Sequence, residues 1–486
     1  MRLGHLRDKI KQPTFLRNQD LRISLALGLG VGLIYLAFLP PGIYSIDGNS
    51  MLAVSESLVT RHNFSVPPSL GSLGRDGYYY SRWYPLLSIL AVPFVAIGLA
   101  LGHLLSLPAH HVAAVCALVL PALLTAGTTS LVVLLALRLG STRRSACLAA
   151  LGFALGTVAL VYAGKFFAEP LLAFLTVASL YFALGETKRE SIATGVLASL
   201  AVMAKPTGVI VGPILSAYLL TKRRPLHIAL VPLFGTSMGL ILYGIYNNVR
   251  FGNPQSFRYP HTFEAPALPE GFLGLLISPG RGLLWYCPPV VLSVIALCKA
   301  IRSKALEALM IVTLFIGYLL LHSFGKFWSG GWSWGPRFLL PALPGLLALT
   351  GLVEKQWRKG LLILTVIGFI VNAPTLVSFY ERYYDEAKEQ GISYRALLWS
   401  PTHAPLIHAW GAAQRQISDA LAGDVKDLVR KIGTPESKKQ MLRVVSVWWW
   451  MLPAFGIPRW VGVALAFLFV GIGVWVMLKA LLVAQK

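Results

Sequence analysis

The sequence has few charged residues and few cysteines. Only 13% of its 486 residues are Asp, Glu, Lys or Arg, whereas a soluble chain carries about 25%. The composition therefore excludes an ordinary soluble globular protein. No CxxC spacing occurs, so neither a zinc site nor a disulfide framework is supported. The four cysteines are scattered, mostly inside apolar segments: Cys116, Cys147, Cys287 and Cys298.

Acidic residues are the scarcer of the two charges. The chain has 20 Asp and Glu against 43 Lys and Arg, which gives a formal net charge of +23. Such an excess is found in proteins that bind nucleic acid. In an apolar chain it more often reflects cytoplasmic loops that lie near anionic lipid headgroups. We therefore expect membrane lipids, and no nucleic acid, among the partners.

Long apolar runs are abundant. Hydrophobic residues make up 56% of the chain, and many runs are long enough to cross a bilayer as an α-helix. This pattern predicts an all-α polytopic membrane protein with about 12–13 transmembrane helices. The twelve candidate spans are 22–39, 112–138, 146–163, 167–184, 191–204, 207–221, 227–247, 284–299, 305–321, 338–353, 361–379 and 460–480.

The distribution of basic residues predicts the topology. The N-terminus is basic and no small-residue cleavage site follows it, so we expect an uncleaved first span with a cytoplasmic N-terminus. With alternating spans, every short inside loop is basic, as the positive-inside rule requires. These loops are 138–144, 185–190, 221–225, 298–304 and 354–360.

The apolar segment 85–106 does not fit this alternation. If it crossed the membrane, the basic loop 138–144 would lie outside. Pro93 and two glycines interrupt the segment, and His103 lies near its end. We therefore predict a re-entrant or juxtamembrane helix pair attached to the first outer loop. A thirteenth span is the alternative.

The outer side of this topology holds all the sizeable loops: 40–111, 248–283 and 322–337. A polar segment, 380–458, also lies outside and is predicted to be helical. The expected organisation is a membrane module over 1–379, this outer segment, and a last transmembrane helix within 459–486. The inside loops are too short for an active site, so chemistry is expected on the outer face.

Two acids lie at the outer ends of different spans, Asp47 after the first span and Glu169 at the start of a later one. Charge at membrane depth is costly and needs a local reason. One acid could accept a proton from a hydroxyl, although helix capping or solvation is the alternative for both. Several basic residues on the same face could bind a phosphate, with snorkelling to the interface as their alternative: Lys205, Arg281, Arg337, Arg82, Arg258 and His261.

Aromatic residues accompany these charges. Tyr80 and Trp332 belong to clusters that could stack on a sugar, and interfacial anchoring is the equally good alternative. His403 and His408 could contribute to a zinc site, although solvated loop histidines explain them better. No cofactor is expected, and dependence on a divalent metal stays open.

Several short motifs resemble the GT-C superfamily of membrane glycosyltransferases, in its protein mannosyltransferase and aminoarabinose transferase branch. They cover about residues 20–345, and their order on one face makes the set more specific than any single motif. The motifs are "YSIDGNSM", "GYYYSRWYPLLSILAVPF", "FFAEPLLAF", "MAKPTGVI" and "PRFLLPALP".

The resemblance implies transfer of a sugar from a polyprenyl phosphate or diphosphate to an acceptor hydroxyl outside the membrane. It implies that Asp47 is the general base and that Glu169 orients donor or acceptor. Lys205, Arg281 and Arg337 would bind the lipid phosphate. The family often has Asp where this chain has Glu169. No Asp–Glu pair follows Asp47, so a protein acceptor is in doubt beside a glycan or glycolipid. A bacterial inner membrane is the expected location.

Two other functions stay open from the sequence. A transporter or flippase would move the lipid-linked sugar without cleaving it, but it predicts charges through the membrane midplane and paired repeats. The charges here collect at one face. A non-catalytic subunit that binds such a lipid is the second alternative. The sequence does not identify the sugar, the acceptor or the stereochemical outcome.

Overall fold

The structure, a computed structural model, describes residues 18–256, 265–422 and 446–485. Within these ranges it is almost entirely helical, with one two-stranded sheet. The first helices are α1 Asn18–Ala37, α2 Ile46–Thr60, α3 Pro85–Leu104, α4 Ala109–Ala117, α5 Val119–Arg138, α6 Arg143–Gly156, α7 Ala159–Tyr162, α8 Ala168–Ala183, α9 Lys188–Ala204, α10 Val211–Thr221, α11 Leu226–Ala229 and α12 Val231–Phe251.

The second half follows with eleven α-helices in the described ranges: α13 Leu268–Ile277, α14 Leu283–Tyr286, α15 Val291–Ser303, α16 Ala305–Ser323, α17 Leu343–Thr350, α18 Arg358–Asn372, α19 Pro374–Val377, α20 Glu381–Glu389, α21 Tyr394–Trp399, α22 Pro405–Ala422 and α23 Arg459–Val483. Short 3₁₀ helices lie at Pro68–Leu70, Pro206–Ile210, Ala265–Ala267, Pro288–Val290, Arg337–Ala342, Lys355–Trp357, Pro401–His403 and Trp448–Phe455.

The predicted all-α architecture is confirmed. Each of the twelve predicted spans coincides with one helix or with consecutive helices. Seven helical stretches of the described chain are long and apolar enough to cross a bilayer, and four further apolar helices are shorter. The protein is therefore an integral, multi-pass membrane protein. The seven stretches are Asn18–Ala37, Pro85–Leu104, Ala109–Arg138, Leu226–Phe251, Ala305–Ser323, Lys355–Val377 and Arg459–Val483.

Helix α3 differs from the prediction for 85–106. Instead of breaking, it continues for 20 residues through Pro93, and α4 follows as a separate helix. Helices in apolar surroundings tolerate an internal proline because neighbouring helices and local adjustments satisfy the freed backbone groups. Helix α3 also meets the length and apolarity of a membrane span, so its juxtamembrane placement stays a prediction.

Small residues allow the closest helix contacts. A Cβ added to Gly30 in α1 would lie 2.7 Å from the carbonyl oxygen of Gly473 in α23. A Cβ added to Gly235 in α12 would lie 1.9 Å from the carbonyl oxygen of Gly195 in α9. Without a strong hydrophobic driving force in lipid, such backbone approach is a main source of helix association.

The loop between α2 and α3 is fixed to α12 by its hairpin and by an arginine. Strands β1 Ser72–Leu73 and β2 Tyr79–Tyr80 pair antiparallel. The Arg75 amide donates to the Arg250 carbonyl of α12 at 3.1 Å. The buried Arg250 guanidinium in turn donates to the Ser81 carbonyl. These bonds hold residues 81–84 next to the start of α2, where Asp47 lies.

The segment after residue 379 is helical where the structure describes it, as predicted, with α20, α21 and α22. Arg382 joins α20 to α22 through Asp419 at 2.8 Å, and Arg415 of α22 meets Glu386 of α20 at the same distance. The Tyr384 hydroxyl of α20 donates to the Ser333 carbonyl at 2.8 Å. The segment therefore packs directly on the 322–337 loop. Its outward orientation stays a prediction.

Candidate active site

Asp47 lies in the first turn of α2, at the edge of a cavity. The Ser45 hydroxyl caps this helix by accepting from the Gly48 amide at 3.1 Å. Asp47 is therefore not the capping residue, and a negative charge in the first turn suits the helix dipole. Its side chain is 26% exposed, which leaves the carboxylate accessible while most of it is covered.

Glu169, Lys205 and Arg337 form a buried ionic cluster beside Asp47. The Lys205 ammonium lies 2.9 Å from Glu169 Oε1, and Arg337 Nε lies 3.5 Å from the same oxygen. The Glu169 side chain is only 4% exposed. Each residue comes from the end of a helix, namely the first turn of α8, the end of α9 and the start of the 3₁₀ helix Arg337–Ala342. Because both cations are buried against a carboxylate, snorkelling does not describe them.

Arg337 joins the two carboxylates. Its Nη1 lies 3.8 Å from Asp47 Oδ2, while its Nε faces Glu169. The two carboxylates and the two cations of this site have a formal net charge of zero. The exposed Arg82 acts on Asp47 as a further positive charge. With Arg82 included, three cations face two carboxylates, and this positive excess favours an incoming anion.

Aromatic rings form the walls around these charges. The Lys205 ammonium lies 4.2 Å from the centroid of the Phe338 ring, and the Arg337 guanidinium lies 4.5 Å from that of Phe167. Such contacts stabilise cations partly removed from water. The cavity, here called the Asp47 cavity, is a narrow recess, and the space within it together with its opening to solvent amounts to about 310 Å³. It is lined by Asp47, Met51, Trp83, Tyr84, Phe167, Ala168, Glu169, Lys205, Arg337 and Phe338.

The surroundings of Asp47 favour proton uptake. Burial raises the pKa of its carboxyl group above the ordinary 3.8, and the nearby Glu169 charge adds to this increase. Arg337, Lys205 and Arg82 lower the pKa and only partly offset the burial. A carboxylate with a raised pKa is a stronger base than an exposed aspartate. The arrangement can therefore accept a proton next to bound cations.

Arg281 does not join this cluster. Its fully buried guanidinium donates to the backbone carbonyls of Ser329 at 2.8 Å, Gly331 at 2.7 Å and Gly280 at 2.6 Å. It does not line the Asp47 cavity. The sequence predicts a phosphate ligand at Arg281, whereas its guanidinium nitrogens bind backbone carbonyls, two of them in the loop that precedes Arg337.

Tyr80, Trp332 and Arg82 lie outside the cavity wall. The Tyr80 hydroxyl donates to Asp76 within the hairpin at 2.5 Å. Trp332 stacks on Tyr384, with ring centroids 5.6 Å apart. Arg82 is exposed and affects Asp47 only through its charge. The two other predicted ligands, Arg258 and His261, lie outside the described residues.

Four aromatic residues that line the Asp47 cavity were not predicted from the sequence, namely Trp83, Tyr84, Phe167 and Phe338. Phe167 and Phe338 each stand within two residues of a predicted charge, and Trp83 and Tyr84 follow Arg82 directly. That adjacency was the available signal. It is weak because aromatic residues beside membrane spans are common in any case.

Histidines and acids give no metal site in the described parts of the chain, where no three His, Cys, Asp or Glu side chains converge. His408 Nε2 lies 2.7 Å from the Thr402 carbonyl, and its ring stacks on Tyr383. His403 contributes its backbone carbonyl to the Tyr383 hydroxyl. The two histidines therefore have local structural contacts.

Comparisons with known proteins give structural likenesses only. No family model and no curated protein matches the chain. The apo ArnT of Cupriavidus metallidurans is similar at a TM-score of 0.48 and 15% identity, over 90% of this chain and 75% of that one. The structure of the same protein bound to undecaprenyl phosphate is similar at a TM-score of 0.48 and 16% identity, over 93% of this chain and 77% of that one.

An oligosaccharyltransferase from Archaeoglobus fulgidus is also similar, at a TM-score of 0.46 and 12% identity. The likeness covers 86% of this chain and 59% of that one.

Proposed function

We propose that this protein is a membrane glycosyltransferase that moves a sugar from a polyprenyl phosphate or diphosphate to an acceptor hydroxyl at the outer face of the membrane. The observation that carries this proposal is the position of Asp47. It is a partly exposed carboxylate with raised basicity, 3.8 Å from Arg337, in one cavity with the buried Glu169–Lys205 pair. The motif resemblance to GT-C enzymes supports the same reaction.

In the proposed reaction, Asp47 accepts the proton of the acceptor hydroxyl. The acceptor oxygen forms a bond to the anomeric carbon of the sugar as the bond between that carbon and the phosphate oxygen breaks. The lipid phosphate leaves with the electron pair, so negative charge increases on its oxygens. Arg337 and Lys205 stabilise that charge. No proton needs to be donated to the leaving group, which fits a site with one accessible carboxylate.

Glu169 has a supporting role in this scheme. Its oxygen holds Lys205 and Arg337 within one cluster, so their donors are oriented before the donor lipid arrives. Such preorganisation reduces the reorganisation needed in the transition state. We assign no phosphate contact to Arg281. The basic inside loops support a site that faces the exterior, or the periplasm of a bacterial inner membrane.

Replacing Asp47 by asparagine tests the proposal. The purified protein in lipid nanodiscs is supplied with a panel of undecaprenyl-phosphate-linked sugars, and sugar transfer and lipid binding are measured separately. Asp47→Asn removes the base while keeping the shape, so transfer is expected to fall by about 10²–10⁴-fold. Undecaprenyl phosphate binding, measured by native mass spectrometry, is expected to persist.

Glu56→Gln is the matched control, since Glu56 lies on the same helix with a similar exposure of 21% and pairs with His110. It should leave transfer unchanged. Full transfer by Asp47→Asn would remove the base from the mechanism. Binding and movement of the lipid without any cleavage would instead favour a flippase.

A further inference from the structure

Helix α22 exposes its large apolar side chains and buries its small ones. Ile407, Trp410, Ile417 and Leu421 are each between 47% and 64% exposed. The face that packs on the protein consists mostly of alanines: Pro405, Ala409, Ala412, Ala413, Gln416 and Ala420. A helix surrounded by water has the reverse arrangement, with its large apolar residues against the core. The exposed face of α22 therefore indicates apolar surroundings.

These four exposed residues form one stripe along the helix, here called the α22 stripe. They are separated by three, seven and four positions in the sequence, which places them on one side of a helix. Gln414 lies within the stripe and is exposed, so this side is less apolar than a membrane span. An apolar face of this kind, opposite charged residues, is typical of helices in the membrane–water interface. The adjacent α20 exposes Lys388 and Glu389 instead, so the stripe is a local feature of α22.

One end of α22 lies at the level of the membrane surface. The Trp450 indole donates to the Ala420 carbonyl, in the last turn of α22, at 3.3 Å. The two preceding residues, Trp448 and Trp449, donate through their indoles to carbonyls in the last turn of α1. Because α1 is long and apolar enough to cross a bilayer, its end marks the boundary of the apolar layer. The end of α22 therefore lies next to that boundary.

Helix α22 also lies near the ends of two other spans. It packs on α19, where the apolar stretch Lys355–Val377 ends. Helix α23 begins beside Trp450, since its Arg459 guanidinium lies 4.5 Å from the centroid of the Trp450 ring. Trp460 follows and is 70% exposed, as in the tryptophan belts of membrane interfaces. The α22 stripe therefore lies beside a region where several membrane spans end.

We propose that α22 is an interfacial helix and that the α22 stripe rests in the lipid at the membrane surface, among the acyl chains just below the headgroups. The alanine face stays on the protein, and lipid removes the four large apolar side chains from water. None of the four stripe residues lines the Asp47 cavity. This lipid contact therefore does not depend on the proposed sugar transfer.

The lipid contact also anchors the outer segment that reaches the site. Two ion pairs join α22 to α20. Glu381, the first residue of α20, pairs with Lys165 at 2.9 Å, and the Tyr384 hydroxyl donates to the Ser333 carbonyl. The membrane contact of α22 thereby holds a segment that packs on the loop before Arg337.

Spin labels along the α22 stripe test the proposal. Cys116 and Cys298, the two native cysteines that are not buried, are first replaced by alanine in the full chain. A nitroxide is then attached at one position at a time, through Ile407→Cys, Ile417→Cys or Leu421→Cys. These side chains are exposed, so the label does not disturb the core. In nanodiscs with one copy each, power saturation with oxygen and with a water-soluble nickel complex should place the labels about 5–10 Å below the lipid phosphates.

Lys388→Cys, at an exposed position of α20, is the matched control. Collision with the nickel complex should be lower at the stripe than at this control by about threefold or more, because a polar complex enters an apolar layer poorly. Collision with oxygen should be higher at the stripe. Equal collision with the nickel complex at both places would show that α22 faces water and would overturn the proposal. Low collision with both reagents would show that protein covers the stripe, and shielding that needs two copies in one disc would assign it to a second copy of the chain; either result excludes the lipid contact.

Discussion

Two buried arginines, 56 positions apart in the chain, have opposite surroundings. Arg337 faces two carboxylates and two aromatic rings at the edge of a cavity. Arg281 faces backbone carbonyls and the Tyr384 ring, with no carboxylate paired to it in the described chain, and it is fully enclosed. The same type of side chain thus pairs with carboxylates in one place and cross-links the backbone in the other. Each of the three guanidinium nitrogens of Arg281 donates to a backbone carbonyl, so this side chain is fixed by the backbone around it and lies outside the Asp47 cavity.

The two regions are nevertheless connected. Arg281 binds the loop of residues 329–334, and the chain runs from this loop directly into Arg337. Three tyrosine hydroxyls hold the same loop by donating to its carbonyls, namely those of Tyr394 to Gly331, Tyr384 to Ser333 and Tyr162 to Trp334, each at 2.8 Å. The Arg281 region thereby fixes the position of Arg337. Substitutions in one region can therefore be compared with substitutions in the other.

The largest effect is expected from Glu169→Gln. It leaves Lys205 buried without its carboxylate and Arg337 with Asp47 alone, and losing one partner of a buried pair costs about 3–5 kcal/mol. Chemical denaturation in detergent, followed by tryptophan fluorescence, should show this loss of unfolding free energy. Glu270→Gln, at an exposed acid, should stay within about 0.5 kcal/mol. A similar loss in both variants would mean that the Arg337 region is not stabilised by charge.

The next prediction separates the two arginines by conservative substitution. Lysine cannot reproduce the fork of Arg281, so Arg281→Lys should lower the unfolding free energy by about 2–3 kcal/mol. Arg337→Lys keeps a cation near both carboxylates, so the loss should be about 1 kcal/mol, while sugar transfer falls by about 10²-fold. Denaturation and transfer assays on both proteins give the comparison. Equal losses of stability would contradict it.

The pH dependence of sugar transfer tests the raised pKa of Asp47. The proposed base works only when ionised, and its pKa is raised above 3.8. The rate of sugar transfer should therefore increase with pH, and this rising part of the pH–rate profile should lie above pH 3.8. The raised pKa means that the folded state holds this proton more tightly, so the contribution of Asp47 to stability decreases over the same pH interval. Because Arg82 lowers the pKa, Arg82→Gln should move this rising part to higher pH. A shift to lower pH would exclude this charge effect.

The smallest effect is expected at the rim of the Arg281 region. Tyr394 donates to the Gly331 carbonyl and also contacts the Ser329 hydroxyl at 2.9 Å. Tyr394→Phe should cost about 0.5–1.5 kcal/mol, measured by the same denaturation assay. Tyr78→Phe, at an exposed tyrosine of the first loop, should change stability by less than about 0.5 kcal/mol. No difference between the two would show that the loop does not depend on this hydroxyl.

The sequence was sufficient for part of the site. Asp47, Glu169, Lys205 and Arg337 could be selected because each stands beside an apolar span, on the side opposite to the basic loops. The structure places these four together. The helices could be predicted for the same reason, since apolar runs bounded by charges leave few alternatives.

Other features of the site could be identified only in the structure. Arg281 lies between glycines in "SPGRG", which is equally compatible with a ligand contact and with a bond to distant carbonyls. The partner of Lys165 is Glu381, more than 200 positions away, and no local pattern links them. The continuity of α3 through Pro93 depends on packing by neighbouring helices. Contacts between segments that are far apart in the sequence could therefore not be predicted from local patterns.

The end of the chain also completes the first helix. The indole nitrogens of Trp448 and Trp449 donate to the carbonyls of Leu36 and Ala37, and the Trp448 amide donates to that of Leu39. Carbonyls at a helix end have no partner of their own, and an apolar environment offers no water in their place. The segment that leads to Asp47 is therefore anchored at its base by indole groups 412 positions further along the sequence.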